Sequence, residues 1–297
     1  MTDQANKLRD IIKSRKISHE NPPRFNLSSR VITITSGKGG VGKTNFAINL
    51  ALQLRKHNKK VVIIDADFGL ANIEVLFGII PRSSFADVVE KNKSMSEVLT
   101  EGPQGIKFIS GGSGLGELAN LSNEQMYEII NSLAELDKTA DFILIDTGAG
   151  ISKSVVNFVI ASEETIVITT PEPTSITDAY SIIKTVKEVN SNIPEFKIIV
   201  NKTDSLAEGE EIFEKLNKVS ERFLDIPLKC LGSVPYDNHL VKAVKRQEPV
   251  SICFPNSEVS KSIENIALAL LDIEVGKRIP NDGIKAFIRR LTSLFGG

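Results

Sequence analysis

The chain contains few of the residues that mark disulfide-stabilised, metal-binding or membrane-spanning proteins. Its two cysteines, Cys230 and Cys253, stand apart and form no C-x-x-C pair, so neither a disulfide framework nor a cysteine metal site is expected. A run of about 20 apolar residues is missing and the first residues are charged, which argues against a membrane span or a secretion signal. The formal net charge of −1 argues against a generally basic nucleic-acid binder, although it leaves room for a local basic patch.

The overall composition and the order of apolar segments indicate one large α/β domain. Apolar residues make up 41% of the 297 positions, enough to bury a full core. Strands are predicted at 31–36, 60–66, 106–110, 141–146, 165–170, 196–201 and 229–234. Helices are predicted between them at 45–57, 122–136, 175–190, 208–223 and 257–271. This alternation predicts a doubly wound, mostly parallel sheet with helices on both faces and ligands at the carboxyl ends of its strands.

Residues 36–44 carry the most informative motif, Ser-Gly-Lys-Gly-Gly-Val-Gly-Lys-Thr, which fits the pattern G-x-x-x-x-G-K-[ST] directly after a predicted strand. Its glycines let backbone N–H groups point at a polyphosphate, and the helix that follows adds the positive end of its dipole. Lys43 is expected to neutralise the β and γ oxygens, and Thr44 to offer its hydroxyl to Mg²⁺. The predicted nucleotide-binding residues of this loop are Gly37, Lys38, Gly39, Gly40, Val41, Gly42, Lys43, Thr44 and Asn45.

Three motifs, in the right order and at roughly the right spacing, resemble those of the MinD/ParA family of P-loop ATPases. The second lysine of the loop, Lys38, matches the family's deviant Walker A motif. The run 59–67 ends in the paired aspartates Asp65 and Asp67, and the apolar run 141–146 ends in Asp146, as a Walker B strand does. The resemblance implies slow ATP hydrolysis in a homodimer, in which Lys38 touches the nucleotide held by the other subunit.

The same resemblance assigns a task to each carboxylate. Asp146 would hold the Mg²⁺ shell with Thr44, and Asp65 would support it, since Mg²⁺ usually takes only one or two carboxylates. Asp67 would orient the attacking water, so the implied catalytic residues are Lys38, Lys43 and Asp67. Positioning and charge neutralisation suffice for such a reaction. The alternatives are a turn cap for Asp65 and Asp67 and a strand-end cap for Asp146.

Recognition of the base is less clearly marked in the sequence. In relatives, an Asn at the position of Asn201 and a Pro-x-Asp turn like that of Pro235 and Asp237 hold adenine. The run Asn-Lys-x-Asp that ends at Asp204 would instead suggest guanine, as in Ras-type GTPases. The lysine-rich loop and the paired aspartates favour adenine. An ordinary turn without a ligand is the other alternative for these residues.

The chain lacks the residues that mark two other kinds of P-loop protein. Iron–sulfur carriers and nitrogenase iron proteins need cysteine ligands that this chain does not have, and tyrosine kinases of the class end in tyrosine clusters. The chain has three tyrosines in all. These two kinds of relative are therefore disfavoured.

The N-terminal residues 1–17 form a predicted helix with one apolar side, and a linker, 18–29, contains Pro22 and Pro23, which cannot continue it. A disordered tail is the alternative, because so short a helix is marginal in water. The run 3–9, Asp-Gln-Ala-Asn-Lys-Leu-Arg, resembles the activator segment of the FlhG (YlxH) family of flagellar-number ATPases. The resemblance implies stimulation of the FlhF GTPase and action on flagellar switch (C-ring) proteins. The implied partner-binding residues are Asp3, Gln4, Ala5, Leu8 and Arg9.

The C-terminal residues 277–297 follow the predicted ATPase domain, 30–276, and are predicted to form an amphipathic membrane-targeting helix. Apolar residues recur at helical spacing beside basic ones, and anionic lipid contributes about 1 kcal/mol per basic residue. Membrane binding by one copy of the helix is marginal, but two copies in a dimer gain avidity. The alternative is a last helix packed on the core. The predicted membrane-binding residues are Ile284, Lys285, Phe287, Ile288, Arg289, Arg290, Leu291, Leu294 and Phe295.

Together these features predict a cytoplasmic, FlhG-like ATPase that associates reversibly with the inner face of the cell membrane and regulates flagellar number or placement. A MinD-type division-site ATPase shares the core and the membrane helix but does not explain residues 3–9. A DNA-partition protein is disfavoured by the neutral charge, and no specific nucleic acid is expected. A scaffold that binds nucleotide without hydrolysing it is a further alternative.

Overall fold

The computed structural model describes residues 29–67, 72–90, 93–111, 132–190, 193–272 and 283–295. These residues build one eight-stranded sheet with the order β3-β4-β2-β5-β1-β6-β7-β8. Neighbouring strands are parallel except for the antiparallel pair β3 and β4 at one edge. The strands are β1 (Arg30–Ser36), β2 (Val61–Ala66), β3 (Thr100–Glu101), β4 (Lys107–Ile109), β5 (Phe142–Ala149), β6 (Glu164–Thr169), β7 (Glu195–Thr203) and β8 (Lys229–Pro235).

Helices connect the parallel strands, as the alternation in the sequence predicts. The predicted fold class is confirmed: a doubly wound, mostly parallel α/β sheet with helices on both faces. The described helices are α1 (Lys43–Lys56), α2 (Ile73–Phe77), α3 (Phe85–Glu90), α4 (Met95–Val98), α5 (Lys153–Ala161), α6 (Pro173–Val189), α7 (Leu206–Leu224), α8 (Asn238–Lys245), α9 (Val250–Cys253), α10 (Glu258–Asp272) and α11 (Ile284–Phe295). Short 3₁₀ segments lie at 103–105 and 134–138.

The seven predicted strands are all present, with ends shifted by up to three residues. Strand β5 differs most, because it continues past Asp146 to Ala149. Short helices such as α2, α4 and α9 were not predicted from the sequence, because a single turn carries too little periodicity to be recognised. Most of the predicted helix 122–136, the predicted N-terminal helix 1–17 and nearly all of the linker 18–29 lie outside the described residues.

The sheet is buried on both faces, which explains why its strands read as nearly continuous β-branched runs. In β1, Ile32 and Ile34 face the layer that contains α1 and α10. Val31 faces the opposite layer, which includes α5 and α11, because successive side chains of a strand point to opposite faces. The central strand therefore contributes to both halves of the core.

The C-terminal helix α11 packs against this core. Ile284, Phe287 and Leu291 are at most 2% exposed, and the ring of Phe287 stacks on Phe158 of α5 with centroids 6.3 Å apart. Arg290 adds hydrogen bonds to the carbonyl of Ala161 at 3.2 Å and to Glu163 at 2.6 Å. The apolar side that the sequence analysis assigned to lipid is therefore occupied by the protein itself in this conformation.

This arrangement is the alternative that the sequence left open, a last helix packed on the core. Of the predicted membrane-binding residues, Lys285 and Arg289 are exposed, whereas Ile288 is buried and Leu294 is half-buried against the layer that contains α6 and α7. The physical reason is that one amphipathic stripe suits either a core or a bilayer, and periodicity cannot tell the two apart. Within the described residues, no helix combines the length and apolar character that a bilayer crossing requires.

Replacing Phe287 with Ala should destabilise the whole domain, because it leaves a cavity between α11 and α5. We expect the free energy of unfolding to fall by about 3 kcal/mol. Chemical denaturation measures the change, and Lys285→Ala on the exposed side of the same helix is the matched control. Equal unfolding free energies for the two variants would mean that α11 does not belong to the core in solution.

Candidate functional site

The loop between β1 and α1 passes directly from strand to helix, as a phosphate-binding loop does. Two of its glycines have left-handed backbone conformations, with φ of 77° at Gly40 and 94° at Gly42. Only glycine adopts these angles without strain. Helix α1 then begins at Lys43 with Gly42 at its N-cap position and no side chain capping it. The free N–H groups of the first turn are therefore available to an anion.

The loop is enclosed on two sides by other parts of the sheet's carboxyl edge. A Cβ at Gly37 would lie 2.3 Å from the backbone of Asp178 in α6, and one at Gly42 would lie 2.5 Å from the Asn201 amide nitrogen. Real Cβ atoms do not approach so closely, so any larger residue at either position would displace the loop. These contacts explain why both positions carry glycine, and at Gly42 the positive φ is a second reason.

Three ionisable side chains meet beside the loop: Lys43, Asp65 and Asp146. Residues 65 and 146 are direct neighbours across the parallel pair β2 and β5. The Lys43 ammonium lies 3.4 Å from one oxygen of Asp146, and the other Asp146 oxygen is buried without a hydrogen-bond partner. The sheet therefore brings together residues that are up to 103 positions apart in the chain.

Burial raises the pKa of both carboxyl groups in this cluster. The pKa of Asp65 rises from 3.8 to about 7, chiefly through desolvation and then through repulsion from Asp146. Desolvation also raises the pKa of Asp146, although Lys43 and a hydrogen bond from Thr44 act in the opposite direction. One lysine is thus insufficient to balance two buried carboxylates, and the site favours a further cation or a proton.

These features fit the magnesium–nucleotide complex that the loop motif implies. The orphaned oxygen of Asp146 and the hydroxyl of Thr44 would hold Mg²⁺, with Asp65 behind them, and the loop N–H groups and Lys43 would hold the phosphates. Among the described residues, no group of three His, Cys, Asp or Glu side chains could hold a metal ion by itself. A partly hydrated Mg²⁺ shared with a nucleotide needs no such group.

Asp65 also organises the loop that follows β2. Its carboxylate accepts N–H bonds from Asp67 at 3.1 Å, Asn72 at 3.1 Å and Ile73 at 3.4 Å. This is the capping role that the sequence analysis kept as an alternative, and it coexists with a position next to the metal site. Asp67 is half-buried, and the structure places its carboxylate next to Gly148 on β5, at the mouth of the same cluster.

Lys38 binds to its own chain. Its ammonium lies 2.5 Å from Glu172 and 3.1 Å from the hydroxyl of Thr174, at the beginning of α6. Both members of the ion pair are solvent-accessible, with side chains 40% and 60% exposed. The hydrogen bond from Lys38 lowers the pKa of Glu172. Sequence reasoning did not anticipate Glu172 and Thr174, whose only signal is the Pro-Glu-Pro-Thr start of a helix.

The predicted adenine-binding residues have structural contacts of their own. Asn201 donates its amide to the carbonyl of Val41 at 2.7 Å. The Asp237 carboxylate caps α8 by accepting the N–H of His239 at 2.7 Å, and it also accepts the N–H of Val259. Pro235 ends β8 beside β7. The structure therefore adds an unanticipated loop contact for Asn201 and supports the turn-cap alternative for Asp237.

The raised pKa of Asp65 predicts how stability depends on pH. The folded protein holds this proton up to about pH 7, whereas the unfolded chain releases it near 3.8. The free energy of unfolding should therefore fall as the pH rises between these values, by on the order of a few kcal/mol. Urea denaturation without Mg²⁺ or nucleotide measures this fall between about pH 5 and about pH 8. The free energy of unfolding should fall less for Asp65→Asn than for the wild-type protein. Asp204→Asn, at an exposed site, is the control, and equal losses in all three proteins would contradict the expectation.

Comparisons with known proteins agree with this site. The family model described as "ParA: NUBPL iron-transfer P-loop NTPase" matches residues 28–271. The antiactivator FleN of Pseudomonas aeruginosa is 41% identical over 238 residues, which are 80% of this chain and 85% of FleN. The flagellum site-determining protein YlxH of Helicobacter pylori is 34% identical over the full length of both chains.

Solved structures show the same architecture. MinD of Pyrococcus horikoshii, a septum site-determining protein complexed with Mg-ADP, superposes with a TM-score of 0.68 over 84% of this chain and all of that chain, at 22% identity. The matched Walker motifs, the loop geometry and the full-length match to YlxH lead to one conclusion. The chain belongs to the MinD/ParA family of P-loop ATPases, within the branch that contains FleN and YlxH.

Proposed function

We propose that this ATPase regulates flagellar number or placement through an ATP-dependent cycle of dimerisation and membrane attachment. The observation that carries the proposal is the extent of the match to YlxH, which covers all of this chain. The septum site-determining MinD of Bacillus subtilis is 30% identical over 89% of this chain. YlxH, a flagellum site-determining protein, is therefore more similar to this chain than this MinD, in identity and in coverage.

The site supports ATP as the nucleotide and a homodimer as the active form. Lys43, Thr44, Asp65 and Asp146 would surround a magnesium–phosphate group, while Lys38 lies at the rim in a solvent-accessible ion pair with Glu172. An exposed ion pair of this kind contributes little to stability, so Lys38 would exchange partners at little cost. In the dimer it would leave Glu172 and contact the nucleotide of the other subunit.

We propose that adenine lies against the turn formed by Pro235 and Asp237, next to the end of β7. The alternative that the Asn-Lys-x-Asp run raised is guanine. Competition between ATP and GTP for the purified protein distinguishes the two bases directly. Tighter binding of GTP would assign the Asp204 carboxylate to the base and remove the adenine proposal.

Membrane attachment requires α11 to leave the core, because its apolar residues cannot face lipid and Phe158 at once. Lys285 and Arg289 already lie on the exposed side, where they suit an anionic surface. The docked helix would be the form of the monomer, and dimerisation would provide two released copies whose combined avidity exceeds that of one. In this proposal the same helix stabilises the monomer in the cytoplasm and anchors the dimer to the membrane.

The cycle predicts opposite behaviour for two variants. Asp67→Ala should bind ATP, hydrolyse it poorly and accumulate as a dimer that sediments with anionic liposomes, because the attacking water is no longer oriented. Lys38→Ala should bind ATP yet remain monomeric and soluble. Size-exclusion chromatography in ATP and liposome sedimentation measure both properties.

The matched control for Lys38→Ala is Lys184→Ala, which removes the positive charge of an exposed lysine on α6. This variant should behave as the wild type. Normal turnover by Asp67→Ala would remove that residue from the mechanism. A stable ATP dimer of Lys38→Ala would remove the cross-subunit role of Lys38.

The flagellar assignment is tested through residues 1–20, which contain the segment that resembles the FlhG activator. A peptide of these residues should accelerate GTP hydrolysis by the cognate FlhF. Because the peptide lacks the nucleotide-binding core, any such effect must come from its binding to FlhF. Gln4→Ala should remove most of the effect, since an amide both donates and accepts hydrogen bonds at a partner's active-site loop. A scrambled peptide of equal composition is the control. An unchanged GTPase rate in excess peptide would favour the division-site alternative.

A further inference from the structure

The end of β7 holds the phosphate-binding loop from behind. The amide nitrogen of Asn201 donates to the carbonyl of Val41 at 2.7 Å, and the ammonium of Lys202 donates to the carbonyl of Gly40 at 2.8 Å. Two consecutive residues of one strand thus bind two consecutive carbonyls of a loop about 160 positions earlier.

The backbone at Lys202 makes this double contact possible. Adjacent side chains of a regular strand point to opposite faces, so Asn201 and Lys202 would normally diverge. Lys202 instead has a left-handed φ of 59°, and the pairing of β7 with β8 shifts register between Asn201 and Thr203. Such a conformation is costly for a lysine, and it directs both side chains to one loop.

The orientation of the Asn201 amide is also determined. Its oxygen accepts the N–H of Lys202 at 3.0 Å, so its nitrogen is the atom that faces Val41. Asn201 is 4% exposed and Val41 is 3% exposed, and a Cβ at Gly42 would lie 2.5 Å from the amide nitrogen. The contact is therefore tight, dry and specific in geometry.

The loop needs donors of this kind on its outer side. When its N–H groups point inward to bind phosphate, its carbonyls point outward. The buried carbonyl of Val41 would be destabilising without a donor, whereas the bond from Lys202 to the Gly40 carbonyl lies at the exposed surface. We infer that Asn201 and Lys202 are positioning residues: they fix the outward carbonyls of Val41 and Gly40 and thereby hold the loop in its phosphate-binding conformation. This role is separate from any contact with the base.

The inference rests on nucleotide binding by the loop and predicts an effect that does not depend on adenine. Lys202→Met keeps the aliphatic stem and removes the donor, and Asn201→Ala removes the amide. Calorimetric titration should show that each variant loses about tenfold in affinity, equal to about 1.4 kcal/mol, for Mg·ATP. The same loss should appear for magnesium tripolyphosphate, which carries no base.

Two further variants make the test decisive. Lys202→Arg should recover most of the affinity because it restores a donor, and Lys218→Met, at an exposed lysine of α7, should bind both ligands as the wild type does. Unfolding midpoints of all variants identify any global loss of structure. In the ligand-free protein, Lys202→Met should also speed hydrogen exchange of the loop amides.

The outcomes separate this inference from the alternatives. A loss confined to ATP, with tripolyphosphate affinity unchanged, would overturn it and make these residues readers of the base. Unchanged affinity for both ligands would overturn it as well. Failure of Mg·ATP to bind the wild-type protein would instead remove the assigned nucleotide site, a result distinguishable from either of these.

Discussion

The architecture of the site follows from one electrostatic imbalance at the carboxyl edge of the sheet. Asp65 and Asp146 lie side by side on neighbouring strands, both buried, with Lys43 as their nearby cation. Removing two carboxylates from water is costly, and their mutual repulsion adds to that cost. The ligand-free protein relieves it by holding a proton, as the raised pKa of Asp65 records. The Mg²⁺ ion of a bound nucleotide complex would relieve it by placing positive charge next to the carboxylates, so part of the binding energy would come from this imbalance.

The parallel sheet makes this arrangement possible, because its hydrophobic layers hold the strands in register against the repulsion between the two carboxylates. The central strands β1, β2 and β5 are buried on both faces. They deliver the phosphate-binding loop, Asp65 and Asp146 to the same edge. Strand β7, which is separated from β1 by β6, delivers Asn201 and Lys202 to the back of the loop, and the N-cap of α6 places Glu172 at its rim. Each group comes from a different crossover, so the complete site exists only in the folded chain.

The C-terminal helix has a sequence pattern that suits either of two environments, a protein core or a bilayer surface. Its apolar stripe completes the core layer that contains α5, while its basic side remains in contact with solvent. Burial of large side chains such as Phe287 stabilises the docked form by several kcal/mol. In the proposed cycle, lipid would offer a comparable gain to the same side chains, and a modest bias from dimerisation would decide between the two environments. An amphipathic helix with this balance is suited to a reversible attachment.

The sequence by itself determined the fold class, the nucleotide-binding loop and the two aspartate motifs. These features are local. Strand β1, the glycine-rich loop and helix α1 follow one another directly in the chain, and buried strands are recognised by their continuous apolar runs. Sequence alone could not place α11, because periodicity records that a face is apolar and does not record what covers it. It also could not find the contacts of Lys38 with Glu172 or of Lys202 with Gly40. Those pairs are separated by more than 130 residues, and only the packing of parallel strands and their crossover helices brings them within hydrogen-bonding distance.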